Sequence, residues 1–207
     1  MKDSFLVNTG YILDLLSEID KIIAENIEMF RKNPKNNDFL GLHISEEEVD
    51  SLLVPESHSE KIVMREDVAK IIEKAKVKHS ETCLELRLEK IREMFNLAPL
   101  EVFAILIVLA RELDLKYSKL FAYLQDDVSK TKVSVGLVLN LFCKSKIEKI
   151  YSRRYFYDSS PLMKNSIIFI EDKDEPLIEK TLRMNEQFLR FILGEDDINI
   201  KNLVASE

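Results

Sequence analysis

The sequence predicts a mainly α-helical fold with one small β-hairpin, and three observations carry that prediction. Among 207 residues there are only 4 glycines and 5 prolines, too few for the many tight turns of an all-β chain. Apolar side chains recur at three- and four-residue steps through most of the length, the period of an amphipathic helix. Near the end this period gives way to Ser166-Ile167-Ile168-Phe169-Ile170, a β-branched and aromatic run. That composition suits a strand.

The first element is a helix over Phe5–Phe30, with Leu6, Tyr11, Ile12, Leu15, Leu16, Ile19, Ile22, Ile23, Ile27 and Phe30 as its apolar stripe. Gly10 is expected to interrupt or kink it. Asn33-Pro34-Lys35-Asn36 ends it. Ser45 and Glu48 form a capping-box pattern, predicting a short helix over 46–53, closed by Pro55. Further helices are expected around Arg65–Lys78 and Thr82–Phe95. Pro99 stands where a first-turn proline is tolerated, ahead of an apolar helix Leu100–Leu113. Asp114 can cap a helix Tyr117–Leu124, and Ser134 one over Val135–Cys143. Lys146–Phe156 reads as one more helix. Asp172–Pro176 is a polar turn, and Leu177–Met184 the return strand. Asn185 caps Glu186–Leu193, and Gly194 takes the C′ position. Helices followed by a hairpin make a winged helix over 81–195, preceded by an N-terminal helical region over 1–80. Met94, Phe95, Phe103, Phe188 and Phe191 are assigned to the core.

Composition excludes several function classes. Thirty basic against 37 acidic residues leave a net charge of −7, so any nucleic-acid contact must come from a local face. Two cysteines cannot build a disulfide framework and fit a reducing compartment. The longest apolar run, Val102–Ala110, falls far short of the ~20 residues that span a bilayer. With no signal-peptide pattern at the start, the expected location is cytoplasmic and no membrane partner is expected.

Five groups of polar residues are candidates for chemistry. Asp126 and Asp127 could hold Mg²⁺ or exchange protons, or they end one helix and order the next turn. Adjacent helical residues diverge by about 100°, which favours the turn. Arg111, Glu112 and Asp114 are expected to form a buried ion pair locking two helices. His79 and Cys83 have the i, i+4 spacing of metal ligands, but His43, His58 and Cys143 do not complete a local set. Cys143 reads as a small core residue. The runs Glu46–Glu48 and Glu171–Glu175 read as solvated surface. The basic cluster Lys144, Lys146, Lys149, Arg153 and Arg154 is interleaved with Tyr151, Tyr155, Phe156 and Tyr157. A helix-turn-helix reads DNA with its recognition helix. Here that helix is expected at Val135–Cys143, where Asn140 is the one side chain able to bond a base edge bidentately. Lys130 and Lys132 precede it as phosphate contacts. The recognition helix is otherwise apolar, which turns the reading of the basic face towards protein binding.

The run Ala110-Arg111-Glu112-Leu113-Asp114, Tyr117, then Leu120-Phe121-Ala122-Tyr123-Leu124-Gln125-Asp126-Asp127-Val128 resembles the "APELDxxYxxLYAYLQDDV" run of an N-terminal winged-helix domain of bacterial and archaeal AAA ATPases. Leu97–Glu101 is similar to its "LSPxE" start, Ser134–Leu139 to "PTVxLAL", and Gly41–Val49 to "GLYxSxEEV". Pro161-Leu162 and then Pro176–Gly194 are similar to "PLL…PLRLDERIxxFLLG". In family order the matches cover roughly residues 39–194. Lys130-Thr131-Lys132-Val133 departs from the family, which often has arginines and Pro there. The resemblance marks Arg111, Glu112, Asp114, Tyr117, Tyr123, Asp126 and Asp127 as its structural motif. It implies an ATPase module beyond Glu207, with 196–207 as a linker towards it.

No G-x-x-x-x-G-K-[ST] occurs in the chain, so the region itself is expected to be non-catalytic and without a cofactor. ATP and magnesium belong to the expected downstream module. The resulting expectation is a recognition or adaptor region of a AAA ATPase that binds a protein client or docks on the ATPase ring. The parent is expected to be a homo-oligomer. Lys146, Lys149, Arg153, Arg154 and Tyr155, with the hairpin turn at 171–176, are the candidate contacts. The alternative is a DNA-binding winged-helix regulator using the same cations.

Overall fold

The computed structural model describes residues 2–32, 66–79, 84–171 and 174–195. The short helix expected at 46–53, the Gly41–Val49 match, His43, His58 and Cys83 lie outside them. Helix α1 spans Lys2–Lys32, α2 Glu66–His79, α3 Arg87–Met94, α4 Pro99–Leu113 and α5 Lys116–Leu124. Helix α6 spans Val135–Phe142 and α7 Lys146–Ser152, which runs into a 3₁₀ turn Arg153–Phe156. The short α8 is Pro161–Lys164, strand β1 Ile168–Ile170, β2 Leu182–Met184 and α9 Glu186–Ile192.

Helix α4 is the centre. Every residue from Leu100 to Ala110 is buried, as a helix apolar on all sides demands. Helices α1, α2, α5 and α6 and strand β2 pack around it. The predicted stripe of α1 faces this core from Tyr11 onward, with Tyr11, Ile12, Leu15, Ile19 and Ile23 all buried, whereas Leu6, near the helix start, is exposed. One contiguous apolar core therefore runs from α1 to α9. Gly10 does not break α1. A Cβ there would stand 3.6 Å from His79 Cε1 on α2, an ordinary contact.

Strand β1 pairs antiparallel with β2, Ile168 opposite Met184 and Ile170 opposite Leu182. A bridge joins Ser134 to Thr181, and Leu182 N–H donates to Val133 O at 2.8 Å. The residues before α6 thus lie along the other edge of β2. The expected return strand Leu177–Met184 is shorter than predicted because its first half is used differently. The carbonyls of Ile178 and Lys180 accept the N–H groups of Gly136 and Val135, satisfying donors that open a helix. A Cβ on Gly136 would meet Ile178 O at 2.8 Å, so this close approach needs glycine. Helix α3 starts later than expected, and Met94 is exposed rather than core. It lies off the stripe Leu88–Ile91–Phe95 that packs inward.

Glu101 is 1% exposed. Its carboxylate accepts from Ala98 N–H at 2.9 Å and from Leu162 N–H at 3.1 Å, capping α4 and tying α8 to it. Burial raises its pKa above the usual value of 4.5, opposed by those two N–H groups. A raised carboxyl pKa contributes most stability below the unfolded value and loses it as pH rises through the folded value. Glu101→Gln, left with one acceptor for two donors, is expected to cost about 1–3 kcal/mol. The wild type's margin over it should narrow as pH rises above 4.5. Urea midpoints of both proteins between pH 4 and 7 test this; a margin independent of pH would contradict it.

Candidate nucleic-acid interface

Ten residues separate α5 from α6, but only Cys143, Lys144 and Ser145 separate α6 from α7. A helix-turn-helix uses a turn of 3–4 residues, a length found both between α3 and α4 and between α6 and α7; α6 and α7 are the pair that follows directly from the residues bridged to β2. In that pairing the second position falls on α7 rather than on Val135–Cys143, where the recognition helix is expected from the sequence. Val135–Phe142 is the first helix of the pair. Six of its residues are buried, because they pack on α4 while residues 178–180 cover its start. Only Asn140 is exposed there. The second helix, α7, carries the basic cluster.

Ser145 caps α7 by accepting from Glu148 N–H at 3.2 Å. Glu148 is turned inward, 4% exposed, and accepts from Lys144 N–H at 2.7 Å. The one acid of the cluster is therefore withdrawn from the surface. Ser152 and Phe156 are buried on the same side. The opposite side presents Lys146, Lys149, Ile150, Arg153 and Arg154, spaced i, i+3, i+4, i+7 and i+8 on one helical face. Lys146, Ile150 and Arg154 are exposed, and Lys149 and Arg153 half-buried. Among the described residues none of these four cations is in an ion pair. The Arg154 guanidinium lies 3.6 Å from the Tyr151 ring centroid and 5.6 Å from that of Tyr155. It also donates to the Tyr151 hydroxyl. These contacts hold a flexible side chain in one place.

The other predicted residues serve the scaffold. Arg111 is not paired with Glu112 or Asp114. Its Nε donates to Thr131 O at 2.9 Å, while Glu112 and Asp114 face solvent, where no desolvation drives an ion pair together. Asp114 instead accepts from Lys116 N–H at 2.8 Å, ordering the start of α5. Tyr117 donates to Asp20 on α1 at 2.7 Å; burial, then this carboxylate, raises its pKa. Tyr123 meets Phe30 edge-on at 5.2 Å. Asp126 has φ 52°, the left-handed conformation that ends a helix. Asp127 accepts from Ser129 N–H at 2.8 Å and its hydroxyl at 2.6 Å, which holds its carboxyl below the usual range. Both acids therefore order the turn.

His79 is engaged by Asp14 at 2.8 Å, and the Lys78 and His79 contacts lower the Asp14 pKa. Among the described residues no His, Cys, Asp and Glu group could hold a metal. Cys143 is buried in the core, which raises its thiol pKa. Lys132 pairs with Glu171 at 3.1 Å, and Lys130 is exposed. No described helix is long and apolar enough to cross a membrane.

A groove of about 610 Å³ lies where the 3₁₀ turn meets the hairpin, with Tyr157, Phe169 and Lys180 on its walls. Phe169 and Lys180 are absent from the sequence-based contact set. The signal for Phe169 is strand alternation, since it faces opposite to buried Ile168. Lys180 has no local signal, because residues 177–180 leave the strand.

A helix-turn-helix whose second helix is solvent-facing, followed by an antiparallel hairpin, defines a winged-helix module. The chain belongs to the family described as winged helix domain, variant, whose model matches residues 3–204. That span takes in α1 as well as the hairpin. No curated protein and no solved structure matches the chain.

Proposed function

We propose that this protein is a non-catalytic winged-helix module that binds nucleic acid through α7 and its 3₁₀ extension. The observation that carries the reading is the second helix of the pair, with Lys146, Lys149, Arg153 and Arg154 on one accessible face and Glu148 turned away. The recognition position and the basic cluster coincide. Lysine and arginine gain affinity by displacing counterions condensed on phosphates. Four such contacts give a log K against log salt slope of about −3.6 on duplex DNA. Fluorescence anisotropy with a labelled duplex, from about 50 to 200 mM salt, measures this. A slope near zero, or no binding at the low end, would reject the reading.

A second reading, the AAA-ATPase adaptor, draws on the resemblance of roughly residues 39–194 to that family's N-terminal domain and on a different surface. Tyr123, Asp126, Asp127 and exposed Val128 line an apolar pocket at the end of α5. Crosslinking at Val128 to a protein client or ring subunit would favour it, with the α7 cations dispensable. In that reading the ATP, the magnesium and the oligomeric ring belong to the parent, and the location remains cytoplasmic.

A further inference from the structure

We infer that the groove between the 3₁₀ turn and the hairpin takes an unpaired nucleobase from a strand whose phosphates lie along α7. This deepens the proposed function and rests on it. The groove begins where the cationic face ends: Tyr157 N–H donates to Arg154 O at 3.3 Å. Tyr157 is 48% and Phe169 44% exposed. With Tyr151, they are three of the four large aromatic residues exposed among the described residues. Exposed rings beside cations form a stacking platform, since every base has a π-face. Buried Phe156 and Ile168 also line the groove, together with Asp158 and Lys180. Lys180 and Asp158 add a donor and an acceptor for the edge of a base.

The charge of the wing favours an unpaired base over a continuing duplex. Asp174, Glu175 and Glu179 are exposed there, and Glu171 is already paired with Lys132 and Arg183. This acidic tip repels a phosphate backbone, so a duplex lying on α7 does not extend across it. A neutral base inserted between Tyr157 and Phe169 avoids that repulsion, while its phosphate remains near Arg153 and Arg154. The ligand class is thus a duplex with a single-stranded end or gap.

The test compares the full chain on a blunt DNA duplex and on the same duplex with a single-stranded tail carrying 2-aminopurine. Base stacking on an aromatic ring is worth a fold-change in affinity of roughly 5 to 150 per base. The tailed duplex is therefore expected to bind at least about fivefold tighter, with 2-aminopurine fluorescence quenched on binding. Y157A with F169A should remove the tail's advantage and leave blunt-duplex affinity unchanged. Equal affinity for the two duplexes, or unquenched fluorescence in the wild type, would overturn the groove assignment while leaving the α7 reading intact. Failure to bind either duplex would overturn both. The wild-type quenching requires no variant to fold. Stronger competition for the groove by an apolar peptide than by a tailed duplex would assign it to protein and also overturn the inference.

Discussion

Replacing Lys149 and Arg153 together by glutamate is expected to weaken duplex binding at least about tenfold while the protein stays folded. Lys149 lies on α7 and Arg153 opens its 3₁₀ extension, both half-buried, and neither is in an ion pair among the described residues. Their removal therefore strands no buried partner. Neutralisation alone, as in K149Q with R153Q, should halve the salt slope from about −3.6 to about −1.8. Reversal adds repulsion from phosphates and should weaken binding by roughly tenfold or more near 0.1 M salt. Circular dichroism and the urea midpoint should match the wild type. The control is E148Q: an inward carboxylate that bonds Lys144 N–H should affect stability rather than the slope. Undiminished binding by the double glutamate variant would remove α7 from the interface.

The largest effect on stability is expected at Glu89. Its carboxylate is 4% exposed and joins three helices. It accepts from Tyr11 Oη at 2.9 Å and from Arg92 Nε and Nη2 at 2.9 and 2.7 Å. Lys76 Nζ lies 3.7 Å away. Glu89→Ala would leave the hydroxyl of fully buried Tyr11 without its acceptor and Arg92 without its counter-ion. The stranded hydroxyl and the lost ion pairs, whose cations are about a third exposed, together cost about 2–4 kcal/mol, roughly a 10 °C drop in Tm for a chain of this size. Tyr11→Phe removes one spoke only and should cost about 1 kcal/mol. A double-mutant cycle at 11 and 89 should give a coupling well above zero. Limited proteolysis of E89A should cut α1 first, because Tyr11 is the buried one of its polar anchors. A loss below about 1 kcal/mol for E89A would show that this carboxylate is not what fastens α1.

Much of this architecture was legible locally. The stripe of α1, the apolar α4, the serine cap at 134 and the Asn185–Gly194 frame of α9 follow from period and capping chemistry, which act within a few residues. The turn role of Asp126 and Asp127 was legible for the same reason. The role of α6 was not. Its apolar composition correctly implied burial, but the choice of recognition helix depends on which turn is short and which helix residues 178–180 cover. That cover is a contact between positions 136 and 178. No periodicity encodes it.

The sequence by itself determined the helical class, the hairpin and the presence of a cationic, tyrosine-rich segment at 144–157. Those properties belong to side-chain order along a local period. Tertiary structure alone decided that Glu148 turns inward, that Arg111 bonds a turn rather than an acid, and that Tyr157, Phe169 and Lys180 share one groove. Each of these depends on which distant surface buries a side chain, and burial sets whether a charge is withdrawn, paired or offered to a ligand.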